Sequence, residues 1–183
     1  AKGDVVADLA AMVAFDTVSH RSNDPLAAWL AERCEALGMR VDPFVDPDDP
    51  SKRSLVCRVG PDDGEGLVLS GHMDVVPTEG QPWSSDPFRL RSHEGKLYGR
   101  GTADNKGQHL INIAALRAVV KARGALGFNA KIILEMAEEC GSPGLNELCS
   151  AHKDLLSSDV LIASDGPRLH PDKPTLFMGF AER

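Results

Sequence analysis

The chain has 183 residues, 42% hydrophobic and 26% charged, the make-up of a globular domain long enough to bury a core. Its net charge of −7 argues against nucleic acid as the main partner, because phosphate binding needs clustered Lys and Arg. No apolar run approaches the roughly 20 residues that span a bilayer, so no membrane partner is indicated.

In chain order, Val5, Leu9, Met12 and Val13 recur at helical spacing. Leu26, Trp29, Leu30, Cys34 and Leu37 do the same ahead of Gly38, in a helix begun by Asn23 or Asp24 with Pro25 in its first turn. "MRVDPFV" and "SLVCRVG" follow as strands around the loop "DPDDPSK". Residues 66–70 are a short, continuously apolar strand of the buried kind. A Gly-, Pro- and Ser-rich stretch then leads to a hairpin through "FRLRSHEGKLYG", turning at residues 93–96. A strong helix covers about residues 107–122, and "AKIILEMA" is a second buried strand. "GSPGLNELCSAH" opens another helix, and "DVLIAS" is a third apolar strand leading to Asp165. Apolar strands alternating with helices predict an α/β fold, a mostly parallel sheet with helices on both faces.

The four cysteines, Cys34, Cys57, Cys140 and Cys149, form no C-x-x-C pair. They read as reduced thiols of a cytoplasmic protein, and the first residues show no secretory pattern.

Open α/β sheets collect ligands at the carboxyl ends of their strands. That rule selects His72 and Asp74 after the strand at 66–70, Glu138 and Glu139 after the strand at 130–136, and Asp165 after the strand at 159–163. Asp104 adds a carboxylate from a Gly-rich turn before a helix. A single histidine after a strand is more often packed or solvated than a ligand. Five carboxylates meeting one imidazole are different, because they repel one another unless cations lie among them. Imidazole with carboxylates suits zinc, with cobalt or manganese as alternatives, and so many donors suit two ions sharing a carboxylate. The glycines of "YGRGTADNKGQ" match neither common phosphate-loop spacing, which leaves nucleotide binding a minor alternative.

"SGHMDVVP", "WSSDPF", "LYGRGTADNKG", "EMAEECGSPG" and "DVLIASDGP" together resemble the dinuclear zinc amidohydrolases and exopeptidases, a family that includes acetylornithine deacetylase, succinyl-diaminopimelate desuccinylase, aminoacylase and the carnosine-type dipeptidases. The likeness runs from about residue 8 to 179; "FDTVSHRSN" looks deacetylase-like, "TADNKG" and "SDGPRLHPDKPTLFMG" dipeptidase-like. The resemblance implies that His72 and Asp165 bind one zinc, that Glu139 binds the other, and that Asp104 bridges the two. Asp74 would brace the second nitrogen of His72, and Glu138 would serve as general base. It also implies a cis peptide between Asp104 and Asn105.

The family carries a lid or dimerisation domain and one more histidine toward the end of its chain. Residues 1–183 therefore read as the N-terminal part of the catalytic domain, with the lid and the C-terminal part absent and dimerisation expected only with the lid. His20, His93, His109, His152 and His170 all read as solvent-facing, so the Glu139 metal site is expected to be incomplete. The expected activity is hydrolysis of an amide or peptide bond in a small N-acyl amino acid or dipeptide. The competing expectation is an inactive remnant that only binds.

Overall fold

The computed structural model describes residues 2–60 and 66–166, together with 169, 170, 172, 173 and 175–179. Helices α1 (Lys2–Ala14) and α2 (Asp24–Glu35) come first, followed by strands β1 (Arg40–Val45), β2 (Arg53–Val59) and β3 (Leu67–His72). A hairpin of β4 (Arg91–His93) and β5 (Lys96–Tyr98) precedes helix α3 (Lys106–Arg123) and strand β6 (Ala130–Glu135). A 3-10 turn at Glu138–Cys140, short helices α4 (Leu145–Ala151) and α5 (Lys153–Leu156), and β7 (Val160–Ala163) complete the order. The turn and α5 lie in stretches where the sequence shows no apolar period.

The central sheet has the order β1-β2-β6-β3-β7. β3 pairs parallel with both β6 and β7, and β2 pairs antiparallel with both β1 and β6. Four of the five strands thus point the same way and β2 alone is reversed, a mixed α/β sheet that is parallel where the site lies. The chain needs α3 to return from β3 to its parallel neighbour β6, as a parallel crossover requires.

Alternation along each strand decides which helices it meets. Leu55, Cys57, Leu69, Ile132 and Leu134 form one core with Leu9, Met12 and Val13 of α1, Leu26, Leu30 and Cys34 of α2, and Leu110, Ile113 and Leu116 of α3. On the opposite face Val56, Val68 and Ile133 are buried, and residues of α4, α5 and their flanks reach it. There Leu148 is buried, the Phe44 ring meets His152 edge-on, and Lys131 Nζ donates to Ser157 O. Helices therefore occupy both faces, as the sequence predicts. All four cysteines are free, and Cys34 and Cys57 pack in the core as small hydrophobes.

β7 differs from its neighbours. It is an edge strand, and Val160, Leu161 and Ile162 are all exposed, Leu161 by 63%. No described helix is long and apolar enough to cross a membrane.

Asn23 stands at the N-cap of α2, but its side chain makes no cap bond. Its amide pairs with β2 instead, accepting from Arg53 N (2.8 Å) and donating to Arg53 O (2.7 Å). Strand backbone offers a donor and an acceptor together, which an amide satisfies more fully than a helix end does.

Candidate metal centre

β3 ends by carrying His72 into the interior, and the next residues fold Asp74 back beneath it. His72 Nδ1 lies 3.1 Å from Asp74 Oδ1 and 3.0 Å from Asp74 O. A hydrogen on Nδ1 serves both acceptors, which turns Nε2 outward. Nε2 lies 2.9 Å from Asp104 Oδ1, 3.7 Å from Asp165 Oδ2 and 3.8 Å from Glu138 Oε2. Asp104 arrives on the turn before α3, Asp165 just after β7, and Glu138 on the 3-10 turn after β6.

Asp74 is fully buried and anchors more than the imidazole. Its Oδ1 also accepts from Glu138 N (3.0 Å), and its Oδ2 accepts from Glu139 N (3.2 Å) and Ser19 Oγ (2.7 Å). One carboxylate thereby fixes a ring on β3, two consecutive backbone amides after β6, and a hydroxyl from the α1–α2 connection.

Two overlapping donor sets result: His72, Glu138 and Asp165, and His72, Asp104 and Glu139, each with donor atoms within 4.8 Å of one another. Every metal or catalytic residue selected from the sequence therefore converges on a single imidazole. Glu138, the expected base, lies in the set with His72 and Asp165. A base must stand within reach of the reacting water, so closeness to the donors is compatible with that role. The peptide between Asp104 and Asn105 is cis, as the family resemblance implies.

Electrostatics reflects the crowding of acids. Burial works to lower the pKa of His72, but the Asp74 hydrogen bond and the charges of Asp74, Asp104 and Asp165 outweigh it and raise the value to about 9. Burial, and then the Asp104 carboxylate, push Glu139 above the usual carboxylate range. An imidazole that holds its proton this firmly among acids marks a place where positive charge is wanted. The donor set of one imidazole nitrogen and carboxylate oxygens fits zinc, manganese or cobalt better than calcium.

His20, His93 and His170 are exposed, in line with the sequence reading, whereas His152 is half-buried with its ring edge-on to Phe44. His109 corrects it: the residue is 1% exposed, and its Nε2 donates to His72 O. Glycine at position 71 opens the space it occupies, because a Cβ there would lie 2.6 Å from His109 Cε1. Burial then pushes the His109 pKa down to about 4.

Sequence reasoning also passed over Ser19, Asn105 and two buried lysines. Lys106 Nζ donates to Phe15 O (2.6 Å), and Lys52 Nζ donates to the carbonyls of Ser19 and Arg21. These bonds hold the segment that presents Ser19 to Asp74. For Ser19 the repeated polar letters of "FDTVSHRSN" are the only signal, and they do not show which of them turns inward; Asn105 and Lys106 lie within "TADNKG".

Residues 68–176, more than half of the chain, match peptidase family M20/M25/M40. The chain belongs to this family. It is 32% identical over 157 residues to the cysteinylglycine-S-conjugate dipeptidase of Corynebacterium striatum, a match covering 85% of the chain and 34% of that protein. It is 42% identical over 106 residues to the acetylornithine deacetylase of Proteus mirabilis, covering 58% of the chain and 27% of that protein. The crystal structure of human carnosine dipeptidase 1 superposes with a TM-score of 0.80 at 30% identity, over 90% of this chain and 38% of that one. The M20 chain described here thus spans about a third of the length of these relatives.

Proposed function

We propose that residues 1–183 form the N-terminal part of the catalytic domain of a metal-dependent hydrolase that cleaves an amide or peptide bond in a small N-acyl amino acid or dipeptide. His72 and Asp165 would hold one ion, Glu139 would hold the other, and Asp104 would serve both. Zinc is the expected metal, two ions per complete site, with cobalt or manganese as functional substitutes. Family membership and the dipeptidase and deacetylase relatives support this reading. The observation that carries it is the convergence of five carboxylates on one imidazole, with Asp74 on Nδ1 and Asp104, Asp165 and Glu138 within 3.8 Å of Nε2.

Metal bound there would acidify the attacking water and polarise the scissile carbonyl. The chain's own residues do the rest. Asp74 keeps the hydrogen of His72 on Nδ1 and holds the backbone of Glu138 and Glu139 in place. Glu138, half-exposed and beside the donors, takes the proton of the water and returns it to the leaving amine. Among the described residues, Glu139 and Asp104 share His72 and have no second histidine beside them.

The test is metal content together with hydrolysis of an N-acetyl amino acid and of a dipeptide, which also separates the deacetylase-like from the dipeptidase-like substrate. Glu138→Ala is expected to keep its metal and lose about 100-fold or more in kcat, the usual scale for a general base. Unchanged hydrolysis by Glu138→Ala would exclude it as the base. Metal binding without any hydrolysis would leave a binding role only.

A further inference from the structure

β3 and β7 pair in parallel with Leu67 opposite Val160 and Ser70 opposite Ala163. Ser70 O accepts from Ser164 N (3.1 Å), the last backbone bond between the two strands. In a parallel ladder the next two rungs follow from the register: His72 N–H to Ser164 C=O, then Gly166 N–H to His72 C=O. Neither rung forms. His72 N–H donates to Asn105 Oδ1 (3.3 Å), and Asn105 Nδ2 donates to Ser164 O (2.7 Å). At the other end of the same residue, His72 O accepts from His109 Nε2.

Two side chains of one helix thus take both bonding positions of His72. Asn105 is fully buried and stands at the N-cap of α3, yet it makes no cap bond, the usual use of asparagine there. Its amide offers one acceptor and a donor, the same pair a peptide group offers, so it splices into the ladder as a spacer. Gly71 leaves the room for both side chains, since a Cβ there would press on Asn105 Oδ1 and on His109.

We propose that Asn105 and His109 are positioning residues that replace two rungs between β3 and β7, part the strands at the carboxyl edge, and set the spacing at which His72 and Asp165 share one metal ion. The functional part of this inference rests on the hydrolase reading above. Two donors about 2 Å from a tetrahedral ion stand roughly 3.3 Å apart. His72 Nε2 and Asp165 Oδ2 are 3.7 Å apart. Direct pairing would draw Ser164, the neighbour of Asp165, against His72 N–H and change that separation.

Cobalt(II) titration followed by visible absorption tests this on the 183-residue chain, with hydrogen exchange of the His72 amide read on the same variants. Asn105→Asp keeps the acceptor for His72 but turns a carboxylate oxygen on Ser164 O. It is expected to weaken cobalt binding about 10- to 100-fold and to alter the cobalt spectrum, the scale seen when partners that orient metal ligands are lost. His109→Leu is expected to weaken binding likewise. His109→Gln, which restores a donor to His72 O, should bring affinity back toward the parent. Parent-like cobalt affinity and spectrum in both Asn105→Asp and His109→Leu would overturn the proposal. If the parent chain takes up no cobalt, the metal reading fails by itself and amide exchange decides the clamp. Faster His72 exchange in Asn105→Ala than in the parent upholds it, and equal exchange overturns it. Should Asn105→Ala not fold, His109→Leu gives the same readout at the other end of His72.

Discussion

Replacing Asp74 by asparagine removes one charge and changes one atom, in a side chain that accepts four hydrogen bonds. The best placement of the amide keeps its oxygen toward His72 and Glu138 and points its nitrogen at Ser19, whose hydroxyl can rotate to accept. Glu139 N–H is then left without an acceptor. A buried orphan donor costs about 1–3 kcal/mol, and each of the two bonds that lose charge assistance is weakened by about 1 kcal/mol, so the sum is about 3–5 kcal/mol. At about 2–4 °C per kcal/mol for a domain of this size, the Tm of Asp74→Asn should fall by about 6–20 °C.

The loss should depend on pH, because Asp74 is the main support of the raised pKa of His72. A folded-state value of about 9, above the ordinary 6.5, stabilises fully below pH 6.5, and that stability is lost as pH rises through 9. The parent therefore carries this contribution at pH 6 and not at pH 9.5, and the gap to Asp74→Asn narrows at the higher pH. Denaturant unfolding of metal-free protein at both values measures it. A variant whose midpoint matches the parent at both pH values would refute the reasoning that Asp74 anchors the site.

Further outcomes can be checked with the same protein. Gly71→Ala should destabilise by about 1–3 kcal/mol or more, the cost of overpacking, because the atoms it meets are held by hydrogen bonds; unfolding midpoints report it. His109, with a folded pKa of about 4 against 6.5, contributes stability that is full above pH 6.5 and is lost as pH falls to 4, about 3 kcal/mol in all; in His109→Gln that part of the acid slope should be missing from unfolding measured between those limits. Zinc at 100 times its Kd should stabilise by about 2.7 kcal/mol, seen as a rise in Tm that a chelator reverses, and the rise should be absent in His72→Ala. Leu161→Lys on the exposed edge strand should reduce self-association measured by light scattering without lowering the Tm.

The site was more legible than the surroundings that hold it. Five of the six residues follow from one rule, that acids and imidazoles after apolar strands meet at the carboxyl edge, and the rule needs only strand ends; Asp104 comes from the Gly-rich turn before a helix. His72 and Asp74 could even be paired from their two-residue spacing. The order of the strands could not be found this way. β6 enters between β2 and β3 although 57 residues, 73–129, separate it from the nearer of them in sequence, and such placement leaves no local mark. Asn23 misled for a related reason: an asparagine before a helix reads as a cap, but a strand backbone 30 residues along the chain supplies the better partner. His109 read as solvent-facing because its burial depends on a glycine in another element.

The bonds of Asp74 join positions 55, 64 and 65 residues apart, and Asn105 reaches Ser164 across 59. Contacts of such span close large loops, and a folding chain gains them only after its sheet has come together. On the function proposed above, metal binding is therefore expected late in folding, open to the assembled sheet and closed to its parts. It follows that a substitution far from the acids can silence the centre simply by delaying or loosening the pairing of β6 with β3, and that metal uptake followed in time would report completion of the whole sheet.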